Sequence, residues 1–149
     1  MSDSRQYPPT GEITATFGRI GAPMEEQIVR MGLSPEDAAT VAALPPGSAL
    51  LIVQRGTEAG ERFLLDSDRV AAGRSPKAEI FLDDVTVSRR HVEFVRDGLK
   101  FSVRDVGSLN GTYVNRQRVD AAQLNSGDEV QIGKFRMSFH ASPNQGFAG

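Results

Sequence analysis

The feature that most constrains the fold is a series of short apolar runs, separated by turn residues, that begins after Pro45-Pro46-Gly47. Two prolines and a glycine end a preceding helix and start an extended chain. Short runs with alternating apolar and polar side chains are typical of half-buried strands, and this pattern predicts an all-β fold, an antiparallel β-sandwich. The predicted strands are 49–53, 62–65, 69–72, 79–82, 91–95, 99–103, 112–114, 129–132 and 135–139.

The chain before this boundary has a helical pattern. Ser34-Pro35-Glu36-Asp37 is a good helix start, because serine caps, proline suits the first position and acids complement the helix dipole. It predicts a helix over 38–44, and Met24, Ile28 and Met31 share a second helical face. Pieces this short are marginal alone, so both a linker and a docked element stay open. The predicted organisation is a disordered, flexible tail (1–23), a linker with short helices (24–44), one β-domain (45–141) and a disordered C-terminal tail (142–149).

Composition limits the classes of function. The 149 residues suit one domain of ordinary size. The absence of cysteine excludes disulfides, thiolate zinc sites and a cysteine nucleophile, and it fits a reducing cytoplasm. No apolar run is long enough to span a membrane, and no secretion signal is present. We expect a cytoplasmic monomer without a cofactor or metal that binds neither membrane nor nucleic acid.

Charge is unevenly distributed along the chain. The net charge of −2 argues against general nucleic-acid binding. Residues 1–44 contain three arginines and six acids, whereas residues 45–149 contain fourteen basic and thirteen acidic residues. An acidic tail therefore precedes a mildly basic domain.

The segment Ser88-Arg89-Arg90-His91 places a hydroxyl, two cations and an imidazole side by side. A hydrolase would also need an acid that orients the histidine and an oxyanion site. Acids occur at 83, 84 and 105, but no G-x-S-x-G elbow presents the serine. The second histidine, His140, does not form a zinc-binding spacing with His91. Catalysis by Ser88 and His91 stays a minor alternative, and we expect no enzyme.

Anion binding is the better explanation of this segment. In a β-sandwich, alternate connections gather at one end, so the loops at 73–76, 88–91 and 109–112 can line one surface. Arginine forks and a serine hydroxyl donate hydrogen bonds to phosphate, and an asparagine amide can bind peptide backbone. Each piece alone has a simpler interpretation: Asn110-Gly111 as a hairpin turn, and His91 as a structural residue that bonds the loop backbone.

Gly73-Arg74, Ser88-x-x-His91 and Asn110-Gly111, in this order within a predicted sandwich, resemble the forkhead-associated (FHA) domain, a phosphothreonine-binding module. The resemblance extends from about Gly47 to His140. It implies that Arg74 and Ser88 contact the phosphate, while Asn110 binds the main chain of the peptide. In full, the implied binding residues are Arg74, Ser88, Arg89, Leu109 and Asn110, and the implied loop-structural residues are Gly73, His91 and Gly111.

Longer segments, including FLDDVTVSRRHVEF (81–94) and DVGSLNGTYVN (105–115), resemble the small actinobacterial FHA regulators known as glycogen accumulation regulator or oxoglutarate dehydrogenase inhibitor. Their N-terminal E-T-T-S-x-F segment, which serine/threonine kinases phosphorylate, corresponds to Glu12–Phe17. Thr14 matches the second threonine, with Phe17 three residues later. Ile13 and Ala15 replace the first threonine and the serine, and Thr16 is an additional candidate acceptor.

The resemblance implies a switch controlled by phosphorylation. Unphosphorylated, the FHA domain binds and inhibits the E1 component of the 2-oxoglutarate dehydrogenase complex; relatives also act on glutamate dehydrogenase and glutamate synthase. Once a kinase modifies Thr14, the tail binds its own FHA domain and ends the inhibition. The 33 residues from Thr14 to Gly47 span about 30 Å when flexible, which is enough to reach across a small domain.

One alternative uses the same residues: an adaptor that recruits a phosphothreonine protein in trans in another kinase pathway. The sequence leaves open which kinase acts, which metabolic enzyme is bound, and whether Thr14, Thr16 or both are modified.

Overall fold

The computed structural model describes residues 33–54 and 59–144. The predicted N-terminal tail with Thr14 and Thr16, the helical face of Met24, Ile28 and Met31, and residues 145–149 lie outside the described residues. The chain divides into two compact units, residues 1–42 and 43–149, and each is considered by itself.

The described part of the first unit contains helix α1 (Pro35–Ala42). Ser34 caps it as its sequence predicts: the Ser34 hydroxyl oxygen accepts a hydrogen bond from the Asp37 N–H at 3.1 Å. The helix ends at Ala42, two residues before the predicted end at Leu44. The physical reason is Pro45, which disfavours helical backbone at the residue before it.

The second unit is an all-β sandwich, which confirms the predicted fold class. Its strands are β1 (Ala49–Val53), β2 (Arg62–Leu65), β3 (Arg69–Gly73), β4 (Ile80–Phe81), β5 (Val92–Asp97), β6 (Lys100–Asp105), β7 (Thr112–Val114), β8 (Gln117–Val119), β9 (Ala121–Leu124), β10 (Glu129–Ile132) and β11 (Phe135–Ala141). One sheet has the order β2-β1-β11-β10-β7-β8 and the other β4-β3-β5-β6-β9. The described strand pairs are antiparallel except β3–β4, which is parallel with Ala72 opposite Ile80.

The hydrophobic core lies between the two sheets. Phe101 of β6 and Phe139 of β11 meet across it edge to face, with ring centroids 5.6 Å apart. Such a pair adds about 0.5–1.5 kcal/mol beyond its buried area. Other buried apolar residues of the sandwich complete the core around the two rings; the larger ones are Leu51, Leu65, Leu82, Phe94, Ile132 and Met137. The packed sheets give the loops at their ends a rigid base.

Strands β8 and β9 were not predicted, because their residues are mostly polar or small and are largely exposed. The connection between β7 and β8 is a tight turn in which Asn115 and Arg116 have positive φ, 50° and 70°. Two such residues form the turn that matches the twist of a hairpin. The interpretation of Asn110-Gly111 as a hairpin turn is wrong, because β6 and β7 belong to different sheets and this segment crosses between them.

The described part of the C-terminal tail is attached to the sandwich, so the prediction of disorder is wrong for residues 142–144. The Ser142 N–H donates to the Ser48 carbonyl at 2.9 Å. The Ser142 hydroxyl and the Asn144 side-chain amide both donate to the Leu44 carbonyl, each at 2.8 Å.

Candidate functional site

Three loops meet at one end of the sandwich: β3–β4 (74–79), β4–β5 (82–91) and β6–β7 (106–111). The Arg74 N–H donates to the Ser88 carbonyl at 2.9 Å, and the Ser75 N–H donates to the Arg89 carbonyl at 3.2 Å. The Leu109 N–H donates to the hydroxyl oxygen of Ser88 at 2.9 Å. Loops that are far apart in sequence are therefore bound directly to one another.

Gly73 allows the first two loops to approach closely. A Cβ atom at this position would lie 2.1 Å from the carbonyl oxygen of Arg89 and 3.0 Å from that of Ser88. No side chain fits at that distance from backbone atoms. The contact between the end of β3 and the β4–β5 loop therefore requires glycine.

The Arg74 side chain is anchored and still has donors available. Its Nε–H donates to the Val87 carbonyl at 3.0 Å, which fixes the plane of the guanidinium group. Within residues 33–54 and 59–144, no acceptor lies within hydrogen-bond distance of its Nη1 and Nη2. Two adjacent nitrogens of an oriented fork are suited to bind an oxyanion through paired bonds.

Ser88 presents its hydroxyl group between the loops. Its oxygen accepts the hydrogen bond from Leu109, and its own proton has no acceptor among the described residues, so it is left for a ligand. Its backbone N–H donates to Nδ1 of His91 at 3.1 Å. Serine thus connects to both neighbouring loops while retaining one donor.

The His91 ring is fully buried and holds the loops together. Because Nδ1 accepts a hydrogen bond from Ser88, the ring proton is on Nε2, which donates to the Gly111 carbonyl at 2.9 Å. Both ring nitrogens are occupied by backbone groups, so neither can accept a proton from the Ser88 hydroxyl. This geometry contradicts the hydrolase alternative.

Leu109 and Asn110 form the tip of the β6–β7 loop. Leu109 is 85% exposed. The Asn110 side-chain NH₂ donates to the Thr86 carbonyl at 3.0 Å, while its Oδ1 has no donor among the described residues. Gly111, with a φ of 89°, turns the backbone after it into β7. Asn110 is therefore oriented and keeps an acceptor for a ligand.

Arg89 and Arg90 follow Ser88 with exposed side chains. Neither forms an ion pair with the part of the chain that the structure describes. Arg89 adds positive charge next to Ser88, whereas the Arg90 side chain makes no hydrogen bond to the three loops within the described residues.

Asp105 supports the β6–β7 loop, a role that the sequence analysis missed by treating it only as a potential triad acid. Its Oδ1 accepts the N–H groups of Gly107 and Ser108 at 2.8 and 2.9 Å. Its Oδ2 accepts the hydroxyls of Ser108 and Thr112. An aspartate two residues before a glycine is a known turn signal, and it could have identified this loop.

The electrostatics of Asp105 follow from these bonds. Burial raises the pKa of Asp105, but the hydrogen bonds from Ser108, Thr112 and Gly107 outweigh this effect. The pKa of the carboxyl is therefore well below its usual range, and the group is a fixed anion inside the loop.

Thr86 joins the β4–β5 loop to the β10–β11 turn. Its Oγ1 accepts the Lys134 N–H at 2.9 Å. Its hydroxyl and N–H donate to Asp84 and, together with Lys134, lower the pKa of that carboxyl. A Cβ at Gly133 would lie 2.5 Å from Thr86 Oγ1, so this contact also depends on glycine. Thr86 in turn positions Asn110 through its carbonyl.

Residues 33–54 and 59–144 contain neither a metal-binding cluster nor a membrane-spanning helix. No group of three or more acidic or histidine side chains is arranged to hold a metal ion. None of the helices in that part of the chain has the length and apolar character needed to cross a membrane.

Comparison with known proteins gives matches over the sandwich and beyond it. The FHA domain family model matches residues 70–133. The oxoglutarate dehydrogenase inhibitor of Corynebacterium glutamicum is 53% identical over 145 residues, which cover 96% of this chain and 99% of that protein. The glycogen accumulation regulator GarA of Mycobacterium tuberculosis H37Rv is 65% identical over 106 residues, 71% of this chain; the match spans 65% of that protein's length.

Solved structures have the same fold. An FHA domain determined for its phosphothreonine-dependent interactions superposes with a TM-score of 0.61 at 33% identity, covering 65% of this chain and 99% of that one. Mycobacterium tuberculosis EmbR, solved with a low-affinity phosphopeptide, has a TM-score of 0.61 at 27% identity and covers 83% of this chain and 36% of that one.

Proposed function

Because the chain belongs to the family of FHA-domain regulators that includes GarA and the oxoglutarate dehydrogenase inhibitors, we propose that it is a phosphothreonine-binding regulator that acts by binding and not by catalysis. Unphosphorylated, it inhibits the E1 component of the 2-oxoglutarate dehydrogenase complex. Phosphorylation at Thr14 by a serine/threonine kinase ends the inhibition, because the phosphorylated tail then occupies its own FHA domain.

One observation carries the proposal: on three loops joined through the β4–β5 loop, the Nη atoms of Arg74, the Ser88 hydroxyl and the Asn110 amide each have a donor or acceptor with no partner among the described residues. A phosphate brings up to two negative charges and three acceptor oxygens. Hydrogen bonds to charged groups contribute about 1.5–3 kcal/mol each. A few such bonds are enough to distinguish phosphothreonine from threonine.

Each residue has a role in this proposal. Arg74 and Ser88 contact the phosphate, and Asn110 binds the peptide main chain. Arg89 and Leu109 flank the phosphate, while Gly73, His91 and Gly111 maintain the loops. Thr14 is the phosphorylated residue, and Thr16 is a second candidate acceptor.

The switch depends on the tail being tethered to the domain. A flexible linker of suitable length gives an effective concentration near mM. Against a peptide affinity in the micromolar range, the closed form then dominates by about a hundredfold or more. Glutamate dehydrogenase and glutamate synthase are further proposed targets, the cytoplasm is the proposed location, and the monomer is the proposed state.

The proposal is tested with purified protein and purified 2-oxoglutarate dehydrogenase complex. The unphosphorylated protein should inhibit the enzyme, and kinase treatment should relieve inhibition in the wild type but not in Thr14→Ala. Arg74→Ala should still be phosphorylated but should remain an inhibitor, with Arg90→Ala as the matched control that behaves as wild type.

Two results would contradict this function. One is that the unphosphorylated protein has no effect on the dehydrogenase. The other is a pull-down from lysate, with and without phosphatase, in which the protein captures only phosphorylated partners. That result would favour the adaptor that acts in trans.

A further inference from the structure

A groove of about 460 Å³ begins at Asn110 and lies on the outer face of the six-stranded sheet. Gln131 of β10 lies in the middle of its floor, opposite Tyr113 of β7 on one side and Arg136 of β11 on the other. The residues before and after Gln131 and Arg136 belong to the hydrophobic core, so these two side chains point outward. The sequence analysis did not identify the groove, because its members are far apart in the chain.

The groove is basic. Arg116 in the β7–β8 turn, Lys134 in the β10–β11 turn and Arg136 line it, and no acidic side chain does so among the described residues. Arg116 forms an ion pair with Glu129 at 3.5 Å, and Lys134 with Asp84 at 3.2 Å. Arg136 is half-buried, and in the described ranges no carboxylate lies within ion-pair distance of it. These cations are suited to bind carboxylates of a ligand.

The position of the groove matters because the bound tail must return to the start of the sandwich. In the proposed function, the phosphate of Thr14 lies at the three loops and Asn110 binds the main chain that follows. Gly47, which precedes β1, lies at the opposite end: its carbonyl accepts a hydrogen bond at 2.7 Å from Nη1 of Arg96, near the end of β5, whereas the start of β5 adjoins the binding loops. The chain after Thr14 therefore has to travel the length of the sandwich.

The outer face of the six-stranded sheet offers a short route for this return. Strand β1 pairs with β11, with Val53 opposite Met137, so Arg136 is one strand away from β1. A strand with the seven residues of β11 is about 20 Å long. A tail that binds at Asn110 and rejoins the domain at Gly47 can follow this face, and the groove lies where that route begins.

The tail carries matching charge at a suitable distance from Thr14. Glu25 and Glu26 are adjacent and are the only acidic residues from position 15 to position 33. They follow Thr14 by 11 and 12 residues. A flexible chain of this length spans about 17–20 Å. Because the groove adjoins Asn110, a tether of this length brings the two carboxylates within reach of it at a high effective concentration.

We propose that the groove binds the carboxylates of Glu25 and Glu26 when the phosphorylated tail occupies the FHA domain, with Arg136 as the central contact. The inference rests on the proposed function and adds a second contact to its closed form. The linker then contributes to closure directly, in addition to serving as a tether, and the strength of closure depends on salt.

The test uses two amidated peptides with phosphothreonine at position 14, one of residues 8–22 and one of residues 8–27. Amidation removes the terminal carboxylate, which would otherwise add an acid to each peptide. The receptor is the full chain with Thr14→Ala, Glu25→Gln and Glu26→Gln, so that its own tail cannot compete for either site. Titration calorimetry measures both affinities.

The longer peptide should bind about three- to tenfold more tightly than the shorter one, the range expected for one or two partly exposed ion pairs. Glutamine at positions 25 and 26 of the peptide should remove this gain, and Arg136→Gln in the receptor should remove it too. The two changes together should have no more effect than either alone, because they delete the same contact.

Two controls show that the effect belongs to the groove. Arg136→Gln should bind the shorter peptide within about twofold of the unmodified receptor, which shows that the variant is folded and that its phosphate site is intact. Lys100→Gln removes a charge at an exposed position on β6 of the other sheet and should keep the full gain. The gain should also shrink as ionic strength rises.

The phosphorylated full-length protein gives an independent measurement. The 8–22 phosphopeptide, added in excess, should displace the tail from its own domain, as followed by amide NMR signals of Asn110. Displacement should need about three- to tenfold less peptide in the variant with Glu25→Gln and Glu26→Gln than in wild type. Equal displacement of the two proteins would contradict the inference.

The outcomes separate the inference from the proposed function. If both peptides bind with equal affinity, the groove contact is wrong and phosphothreonine recognition stands. A gain that persists in Arg136→Gln, or with glutamine at positions 25 and 26, also overturns the inference, because other contacts would then hold the linker. If neither phosphopeptide binds, the phosphorylation switch fails, and the inference fails with it.

Discussion

The backbone N–H of Ser88 donates a hydrogen bond to Nδ1 of the buried His91 ring at 3.1 Å. This bond places the ring proton on Nε2, where it binds the Gly111 carbonyl. It therefore links the loop of the proposed phosphate contact to the loop that carries Asn110. The histidine that made the segment resemble a catalytic site is the residue that holds the binding loops in place.

His91→Ala should destabilise the protein by about 2–4 kcal/mol, because it leaves a buried cavity and removes the partners of Ser88 N–H and Gly111 C=O. Urea unfolding measures this change. Arg90→Ala, at an exposed neighbour, should change the free energy of unfolding by less than about 0.5 kcal/mol. Equal stability of the two variants would contradict the structural role of His91.

Arg74→Ala should lower affinity for the phosphothreonine-14 peptide by about 10- to 100-fold, because it removes charge-assisted bonds to the phosphate. Titration calorimetry measures this change in affinity, and Arg90→Ala is the control. In the full-length protein, phosphorylation of Thr14 should shift the amide NMR signals of Arg74, Ser88 and Asn110. If those three signals do not move, intramolecular binding of the tail is wrong.

Gly73→Ala should destabilise the sandwich by about 2–3 kcal/mol, because its methyl group would overlap backbone atoms of Arg89. It should also weaken phosphopeptide binding, since the β4–β5 loop must move. Gly98→Ala is a useful comparison: Gly98 has a φ of 65° but no atom within 4 Å of the added carbon. It should cost only about 1 kcal/mol of backbone strain and leave phosphopeptide binding unchanged.

Asp105 should make stability depend on pH. Its pKa in the folded protein is below that in the unfolded chain, about 3.9, so its contribution is complete above pH 5 and is lost as pH falls below about 4. Asp105→Asn should lower the free energy of unfolding by about 1–3 kcal/mol at pH 7 and flatten the decline in acid. Asp97→Asn, at an exposed position, should show the wild-type pH profile when unfolding is followed from pH 7 to pH 2. A wild-type profile in Asp105→Asn would contradict the stabilising role of the carboxylate.

The local elements were predictable where the apolar pattern was strong. Strands β1, β2, β7 and β10 have the predicted bounds, and Ser34 begins α1 as its capping chemistry requires. Strands β8 and β9 were missed because polar side chains give no periodic signal, and they are held by backbone bonds to their neighbours. Asn110-Gly111 has the sequence of a hairpin turn, but pairing with strands distant in the chain places it in a crossing between sheets.

By itself the sequence determined an all-β domain and which loops contain arginine, serine and asparagine, because periodicity and turn chemistry act over a few residues. Only the tertiary structure decided that Nε of Arg74 is bound while its Nη atoms have no acceptor among the described residues, that both His91 nitrogens are occupied, and that Tyr113, Gln131 and Arg136 form one row. Those facts depend on contacts between residues far apart in the chain, which strand register and loop packing set and local sequence does not encode.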